Sequence, residues 1–184
     1  MRFVELLEAQ RIPYAVGGSM ASGIHGEPRA THDVDVLIEL RRQQVRPLVA
    51  SLEREFYVDE SSVSEAVVLA SSFNAVHRSP MYKIDVFVAG RSLLDRKQLE
   101  RRVARALSDD APKAVYVTSA EDIVLRKLLW FRSGGEISDR QWRDVLGVLK
   151  ASRARMDLRY MADMARELQL EDLLRRALDQ ASSD

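Results

Sequence analysis

Apolar and polar residues alternate in two stretches of the chain, and this period of two predicts β-strands. The stretches are DVDVLIEL, from position 33 to 40, and YKIDVFVA, from 82 to 89. A third run, FNAVHR, lies just before the second stretch and is separated from it by Ser79 and Pro80, which predicts a hairpin. The shorter apolar runs YAV and AVYV predict two further strands. Together these runs predict a mixed sheet.

Other segments carry apolar residues at helical spacing. Phe3, Leu6 and Leu7 predict a first helix that Pro13 ends, and RRQQVRPLVASLERE predicts another. The segment from 91 to 107 is predicted as one helix, because Leu94, Leu99, Val103 and Leu107 fall roughly on one face. The run VSEAVVLASS fits a helix and a strand equally well.

After Thr118 the pattern predicts helices only. Ser119 with Asp122 three residues later resembles a capping box, and Ser138 is placed to cap the next helix. We therefore predict an α/β (α+β) fold, a mixed sheet with flanking helices over residues 1–118, followed by a C-terminal helical lobe over residues 119–184.

Composition narrows the class of protein. Hydrophobic residues make up 46% of the 184 residues, and 28 basic residues balance 28 acidic ones. A net charge of zero argues against nucleic-acid binding by the charge of the whole molecule, although a local basic face remains compatible. The absence of cysteine excludes disulfides and thiolate metal sites. The start of the chain resembles neither a signal peptide nor a membrane span, so we expect a soluble cytoplasmic protein.

Acidic residues within the predicted strands are the first candidate chemistry. Residues two apart on a strand share a face, so Asp33 and Asp35 project together. Asp85 lies among apolar residues on another strand. Mg²⁺ takes carboxylate oxygens, and three such carboxylates could hold two metal ions for phosphoryl or nucleotidyl transfer. The alternatives are an exposed strand face for the pair and a charge at a strand edge for Asp85.

A glycine turn lies upstream of these acids. Gly17 and Gly18 follow the strand YAV, and Ser19 can open the next helix. Backbone N–H groups at such a turn can approach a phosphate closely, and a serine hydroxyl can donate another hydrogen bond. The turn lacks the Gly-Lys-Ser/Thr ending of a Walker A loop, and a plain turn is the alternative.

Together, GGSMASGIHGEPRATHDVDV and the downstream KIDVF resemble the DNA polymerase-beta-like nucleotidyltransferase superfamily. The order is a glycine-glycine-serine turn at a helix start, Asp-x-Asp on the next strand and a third acid on a later strand. The form of the motif is similar to the minimal nucleotidyltransferase toxins of abortive-infection toxin–antitoxin systems. This resemblance covers residues 14–88 well and the rest of the chain more loosely.

The resemblance implies a nucleotidyltransferase catalytic lobe over residues 1–118 that uses a nucleoside triphosphate such as ATP and two Mg²⁺ ions. Asp33, Asp35 and Asp85 would bind metal, with Asp85 at the ion that activates the acceptor hydroxyl. Gly17, Gly18 and Ser19 would hold the triphosphate. Arg29 and Thr31 match the arginine and hydroxyl residue of the family motif, although a solvated loop arginine is the alternative for Arg29.

Two residues of the helical lobe match positions that serve the active site in the toxin-like branch. Lys127 emerges from an apolar helix face, so it either reaches water or binds an anion. Asp144 lies on the next helix, and its alternative is a surface pair with Arg140. The resemblance implies a catalytic role for Lys127 and a nucleotide-binding role for Asp144.

The acceptor stays open at this stage. The toxin-like resemblance implies an acceptor hydroxyl on tRNA, another RNA or a protein, with an antitoxin protein as partner. Neutral net charge fits a small-molecule nucleotidyltransferase of the antibiotic-modifying kind slightly better. A non-catalytic protein that only binds nucleotide is the third alternative, and the presence of all three carboxylates argues against it.

Overall fold

In a computed structural model of the chain, which describes residues 2–28, 31, 33–106 and 114–183, a seven-stranded mixed sheet is flanked by helices. The strands are β1 Tyr14–Val16, β2 Asp33–Ile38, β3 Phe56–Tyr57, β4 Ser72–Arg78, β5 Met81–Val88, β6 Val103–Ala106 and β7 Ala114–Val117. The sheet order is β3-β4-β5-β2-β1-β7-β6, so the two predicted alternating strands are central neighbours.

The helices of the described residues precede, interrupt and follow the strands. They are α1 Arg2–Ala9, α2 Gly18–His25, α3 Val45–Leu52, α4 Glu60–Leu69, α5 Leu93–Glu100, α6 Ala120–Ser133, α7 Asp139–Ser152, α8 Leu158–Glu167 and α9 Glu171–Ser183. Short 3-10 helices occupy Arg42–Gln44 and Arg153–Arg155. The predicted mixed α/β fold class is confirmed. Within the described part of the chain, no helix has the length and apolarity that crossing a bilayer requires.

Three local predictions differ from the structure. The single helix predicted from 91 to 107 is wrong, because α5 ends at Glu100 and Val103–Ala106 pairs with β7 as an antiparallel edge strand. The apolar spacing was compatible with a helix and with a strand, and pairing with β7 makes Val103–Ala106 a strand. The two-residue strand β3 was not predicted, and the ambiguous run around Val63 forms helix α4.

Alternation along β2 and β5 divides the sheet into two faces. Val34, Val36 and their counterparts Ile84 and Val86 are buried in the main hydrophobic core. The opposite face carries the acidic residues at one end. Further along that face, a second small core contains Ala15, Leu37 and Leu99.

Residues before and after position 118 contribute to one continuous core. Phe3 and Leu48 from the first part belong to the same cluster as Ile123 and Val145 from the second. Ser119 caps α6 by accepting a hydrogen bond from the backbone N–H of Asp122, as predicted. The division of the chain into lobes at 118/119 stays a prediction.

Helix α2 links the sheet to the C-terminal helices. It begins directly after β1 and packs against α6 and α7. At Gly26, just beyond its end, a Cβ atom would lie 2.8 Å from the backbone of Gly147 on α7. Only a glycine permits so close a contact, which fixes α7 beside the acidic face.

Candidate metal and nucleotide-binding site

Asp35 and Asp85 lie side by side on the two central strands. Strands β2 and β5 are parallel, and their register pairs Asp35 with Asp85 and Asp33 with Lys83. All four side chains therefore project from the same face of the sheet. The strand carrying the third acid thus neighbours the strand carrying the Asp-x-Asp pair, as a shared metal site requires.

The carboxylate of Asp35 has the least favourable environment for a charge. Its pKa is raised mainly by burial and next by the negative charge of Asp85, with a smaller contribution from Asp33. The positive charge of Lys127 and a hydrogen bond from the backbone N–H of Ser19 act in the opposite direction. A bound cation would remove the repulsion that raises this pKa.

Lys83 already supplies part of the compensating charge. Its Nζ lies 2.9 Å from Oδ2 of Asp85 and 3.9 Å from Oδ1 of Asp33. The hydrogen bond to Asp85 and its charge raise the pKa of Lys83, so the ammonium stays protonated. This role of Lys83 was not predicted from the sequence, although its position two residues before Asp85 placed it on the same face.

The chemistry of these side chains fits Mg²⁺, which binds hard carboxylate oxygens. Asp33, Asp35 and Asp85 are aligned by strand register, and the negative charges of Asp85 and Asp33 add to the burial that raises the pKa of Asp35. Among the described residues, no three His, Asp or Glu side chains already surround a common point. Metal binding at these residues would require Lys83 to move away from Asp85.

The glycine turn adjoins Asp35 directly. The backbone N–H of Gly17 donates to the backbone oxygen of Asp35 at 2.8 Å, which ties the start of α2 to β2. Gly18 has a φ of +55°, and a Cβ atom there would lie 1.6 Å from Oδ2 of Asp35. The second glycine is therefore required for both its backbone conformation and its contact with the acid.

Ser19 stands in the first turn of α2, next to an arginine from the helical lobe. Nη2 of Arg140, on α7, lies 3.5 Å from Oγ of Ser19. Arg140 is exposed, so its guanidinium adds positive charge at the helix N-terminus, where an anion is favoured. This placement of Arg140 was not predicted, because the sequence suggested only a surface pair with Asp144.

Lys127 and Asp144 form an ion pair between α6 and α7. The Nζ of Lys127 lies 2.7 Å from Oδ2 of Asp144 and 3.3 Å from Oε1 of Gln141. Lys127 is only 2% exposed, so it does not extend into solvent as a snorkelling lysine would. Its charge lowers the pKa of Asp35, which places it on the inner side of the site. The structure therefore brings both residues together beside the carboxylates.

The remaining predicted residues belong to the segment before β2. Thr31 Oγ1 donates a hydrogen bond to the backbone oxygen of Asp33 at 3.0 Å, so it supports the start of the strand. Arg29 lies outside the described residues, and its predicted role stays a prediction.

Comparison with known proteins by sequence gives no relative, since no family model and no curated protein matches the chain. Solved structures do match. An antigenic nucleotidyltransferase-like protein from Paracoccidioides brasiliensis has a TM-score of 0.56 and 20% identity, covering 96% of this chain and 88% of that one.

Two structures of ANT(2'')-Ia are also similar. The complex with adenylyl-2''-tobramycin has a TM-score of 0.58 and 13% identity over 91% of this chain and 92% of that chain. A solution structure of ANT(2'')-Ia, an antibiotic-resistance factor, has a TM-score of 0.56 and 14% identity over 99% of this chain and 92% of the other. The coverage includes the sheet and the C-terminal helices alike. This chain therefore has the nucleotidyltransferase fold.

Proposed function

We propose that this protein is a Mg²⁺-dependent nucleotidyltransferase that moves a nucleoside monophosphate from a nucleoside triphosphate to an acceptor hydroxyl. The observation that carries this proposal is the pairing of Asp35 with Asp85 in register on parallel strands, beside a glycine turn that opens a helix. Similarity in fold to nucleotidyltransferase structures supports the same conclusion. The soluble, cytoplasmic setting expected from the sequence belongs to the same proposal.

Asp33, Asp35 and Asp85 are the proposed ligands of two Mg²⁺ ions. When bound, the ions would supply neutralisation of the phosphate charge and activation of the acceptor hydroxyl. The repulsion that raises the pKa of Asp35 favours cation binding at this position. Lys83 lies between Asp33 and Asp85 and partly neutralises their charge. In this proposal, Lys83 must release Asp85 before Asp85 can bind a metal ion.

The triphosphate is assigned to the start of α2. Backbone N–H groups of the glycine turn and the Ser19 hydroxyl are the proposed donors, and the helix N-terminus favours negative charge. We assign Arg29, Thr31 and Asp144 to the nucleotide-binding residues that complete this region. Lys127, held by Asp144 at 2.7 Å, is a fixed positive charge near Asp35. It would stabilise negative charge that builds up on the phosphates during transfer.

In the proposed reaction an acceptor oxygen attacks the α-phosphorus. One phosphorus–oxygen bond forms to the acceptor, the bond to the β-phosphate oxygen breaks, and pyrophosphate leaves while the hydroxyl proton is released. The protein contributes positioning and electrostatic stabilisation. The side chains are held on two neighbouring strands and two packed helices, which suits a reaction that depends on alignment.

For the acceptor we propose an RNA, such as tRNA, or a protein, on the toxin-like resemblance of the glycine turn and the Asp-x-Asp motif. An antitoxin protein is then the proposed partner. A small-molecule acceptor is the second candidate, because ANT(2'')-Ia, whose structure contains adenylyl-2''-tobramycin, has the same fold. A non-catalytic nucleotide-binding protein is the third.

One experiment separates these candidates. The four nucleoside triphosphates, labelled at the α-phosphate, are incubated with Mg²⁺ and with total RNA, cell protein or an aminoglycoside mixture. We expect label transfer to one acceptor class by the wild type, and transfer by Asp85→Asn that is slower by about 10²-fold or more. Growth arrest on expression of the wild type alone would support the toxin-like candidate. Nucleotide binding without label transfer to any acceptor would contradict the enzymatic proposal.

A further inference from the structure

A pocket of about 300 Å³ lies on the acidic face of the sheet, next to the glycine turn. Its lining residues include Gly17, Gly18 and Asp35, together with Trp130 of α6. Its volume lies at the lower end of the about 300–1,000 Å³ typical of small-molecule sites. It is therefore large enough for a ring system of a ligand and too small for a whole nucleoside triphosphate.

Two aromatic side chains give this pocket an apolar wall. The ring centroids of Phe87 and Trp130 are 6.1 Å apart, and the rings are inclined at 41°. Both residues are only half-buried, although Phe87 packs against the second small core. Large aromatic side chains gain most when their faces are covered, so a flat ring placed in the pocket would bury surface that the protein leaves open.

The charged residues of the pocket compensate one another. Nη2 of Arg126 donates to Oδ1 of Asp95 and lies 2.6 Å from Oε1 of Gln98, which also accepts from Nε at 3.1 Å. This pairing leaves Arg126 little attraction for an anion, and Asp35 adds negative charge at the same pocket. Because Oε1 of Gln98 serves Arg126, its amide N–H groups are turned away from that guanidinium. The part of the pocket lined by Phe87, Gln98 and Trp130 therefore suits a neutral, hydrogen-bonding ring.

A second pocket lies beside α2. Its charged lining residues are Arg140, Arg143, Glu27 and Asp144, and Arg140 extends to Ser19. The exposed Arg140 thus lies near the first turn of α2, whereas Arg126 of the first pocket is paired with Asp95. Arg140, and not Arg126, is therefore the arginine placed to contact phosphates.

We propose that the Phe87–Trp130 pocket binds the base of the nucleoside triphosphate, an assignment that rests on the proposed function. With the α-phosphate at Asp35 and the outer phosphates towards Arg140, the nucleoside extends to the side of the glycine turn that Trp130 lines. The base then lies against the aromatic wall, and the amide of Gln98 is available to donate a hydrogen bond to it.

Tryptophan fluorescence tests this assignment without catalysis. The chain has two tryptophans, so Trp142→Phe leaves Trp130 as the only reporter. This protein is titrated with the four nucleosides, their triphosphates and inorganic tripolyphosphate, with Mg²⁺ and without acceptor. We expect saturable quenching by at least one nucleoside and its triphosphate, and none by tripolyphosphate.

Variants of the aromatic wall and of Arg140 should separate base binding from phosphate binding. Phe87→Leu and Trp130→Leu, checked for an unchanged circular dichroism spectrum, should weaken triphosphate binding by calorimetry at least tenfold and leave tripolyphosphate binding within twofold. Arg140→Gln should weaken tripolyphosphate binding and leave nucleoside binding within twofold.

The outcomes that overturn the assignment are distinct. If a triphosphate binds without changing the fluorescence of Trp130, and with unchanged affinity in Phe87→Leu, the base does not bind in this pocket. The proposed function would then still stand. Quenching by an aminoglycoside and by no nucleoside would assign the pocket to an acceptor. Absence of any triphosphate binding in the wild type would overturn the proposed function, and this assignment with it.

Discussion

The carboxylate of Asp35 occupies the space in which any side chain at position 18 would begin. Its Oδ2 lies 1.6 Å from the ideal Cβ position of Gly18, whereas a Cβ at Gly17 would meet nothing closer than Oγ1 of Thr118 at 3.7 Å. The two glycines of the motif therefore have different structural tasks. Gly18 gives room to the acid, and Gly17 is the N-cap residue of α2.

This difference predicts unequal effects of alanine at the two positions. Gly18→Ala has to displace Asp35 and adopt a positive φ, which should cost about 1–3 kcal/mol of unfolding free energy and most nucleotide affinity. Gly17→Ala is the matched control, because the added methyl group makes ordinary contacts. Urea unfolding and calorimetry with a nucleoside triphosphate measure both. Equal nucleotide affinity in the two variants would contradict the assignment of Gly18 to the site.

Asp85 is predicted to be needed for turnover rather than for folding. Asp85→Asn should reduce turnover by about 10²–10⁴-fold, the range of a lost acid–base role. It should also lower the pKa of Asp35 towards its usual value, because the charge of Asp85 helps to raise it. Asp163→Asn, which removes an exposed acid of α8, is the control. Full turnover by Asp85→Asn would contradict the three-carboxylate mechanism.

The buried pair of Lys127 and Asp144 combines stability with function, and a double variant separates them. Lys127→Met breaks the ion pair with Asp144 and should cost about 3–5 kcal/mol, the usual penalty for breaking a buried ion pair. Lys127→Met with Asp144→Leu should regain most of that stability, because both charges of the pair are removed. Turnover should stay low in both proteins. If the double variant recovers turnover along with its melting temperature, the pair is structural only.

A buried histidine should make the protein less stable in acid. Burial, followed by the charges of Arg105 and Arg155, lowers the pKa of His25, whose Nε2 donates to the backbone oxygen of Thr118 at 2.8 Å. The hydrogen bond and the charge of Glu121 oppose this shift only partly. Because the unfolded chain binds the proton more tightly, unfolding free energy falls as pH decreases from the unfolded value of about 6.5 to the lowered pKa.

His25→Gln is the variant that tests this pH dependence. It lacks the titrating ring, so its melting temperature should change less than that of the wild type between pH 7.5 and pH 5. Parallel changes in the two proteins would show that His25 does not contribute.

Two threonines offer a contrast in hydrogen bonding. Oγ1 of Thr118 is buried and has no hydrogen-bond partner within the described part of the chain, so Thr118→Val should raise unfolding free energy by about 1 kcal/mol. Thr31→Val should lower stability, because Oγ1 of Thr31 donates to Asp33. Thermal unfolding of both variants checks the signs. A destabilised Thr118→Val protein would show that its hydroxyl is satisfied, for example by water.

Alternation within the sequence was sufficient to predict the central strands and the shared face of Asp33 and Asp35, whereas the position of Asp85 beside them follows from the register of β2 with β5. Pairing with distant segments was not predictable in the same way. The edge strand at Val103 exists because β7 lies beside it, and the contact of Lys127 with Asp144 depends on how α6 packs on α7. Lys83 was visible on the correct face, but its role as a counter-charge needed the register of β2 with β5.

The contact of Gly26 with the backbone of Gly147 fixes the distance between helices α2 and α7. Helix α2 contacts both the strand that carries Asp35 and the helices that carry Lys127 and Asp144. One added methyl group at position 26 would push α7 away from α2 and so increase the distance between the negative charge of Asp35 and the positive charge of Lys127. The distance between the sheet and the C-terminal helices at the site therefore depends on Gly26, a residue that has no side chain.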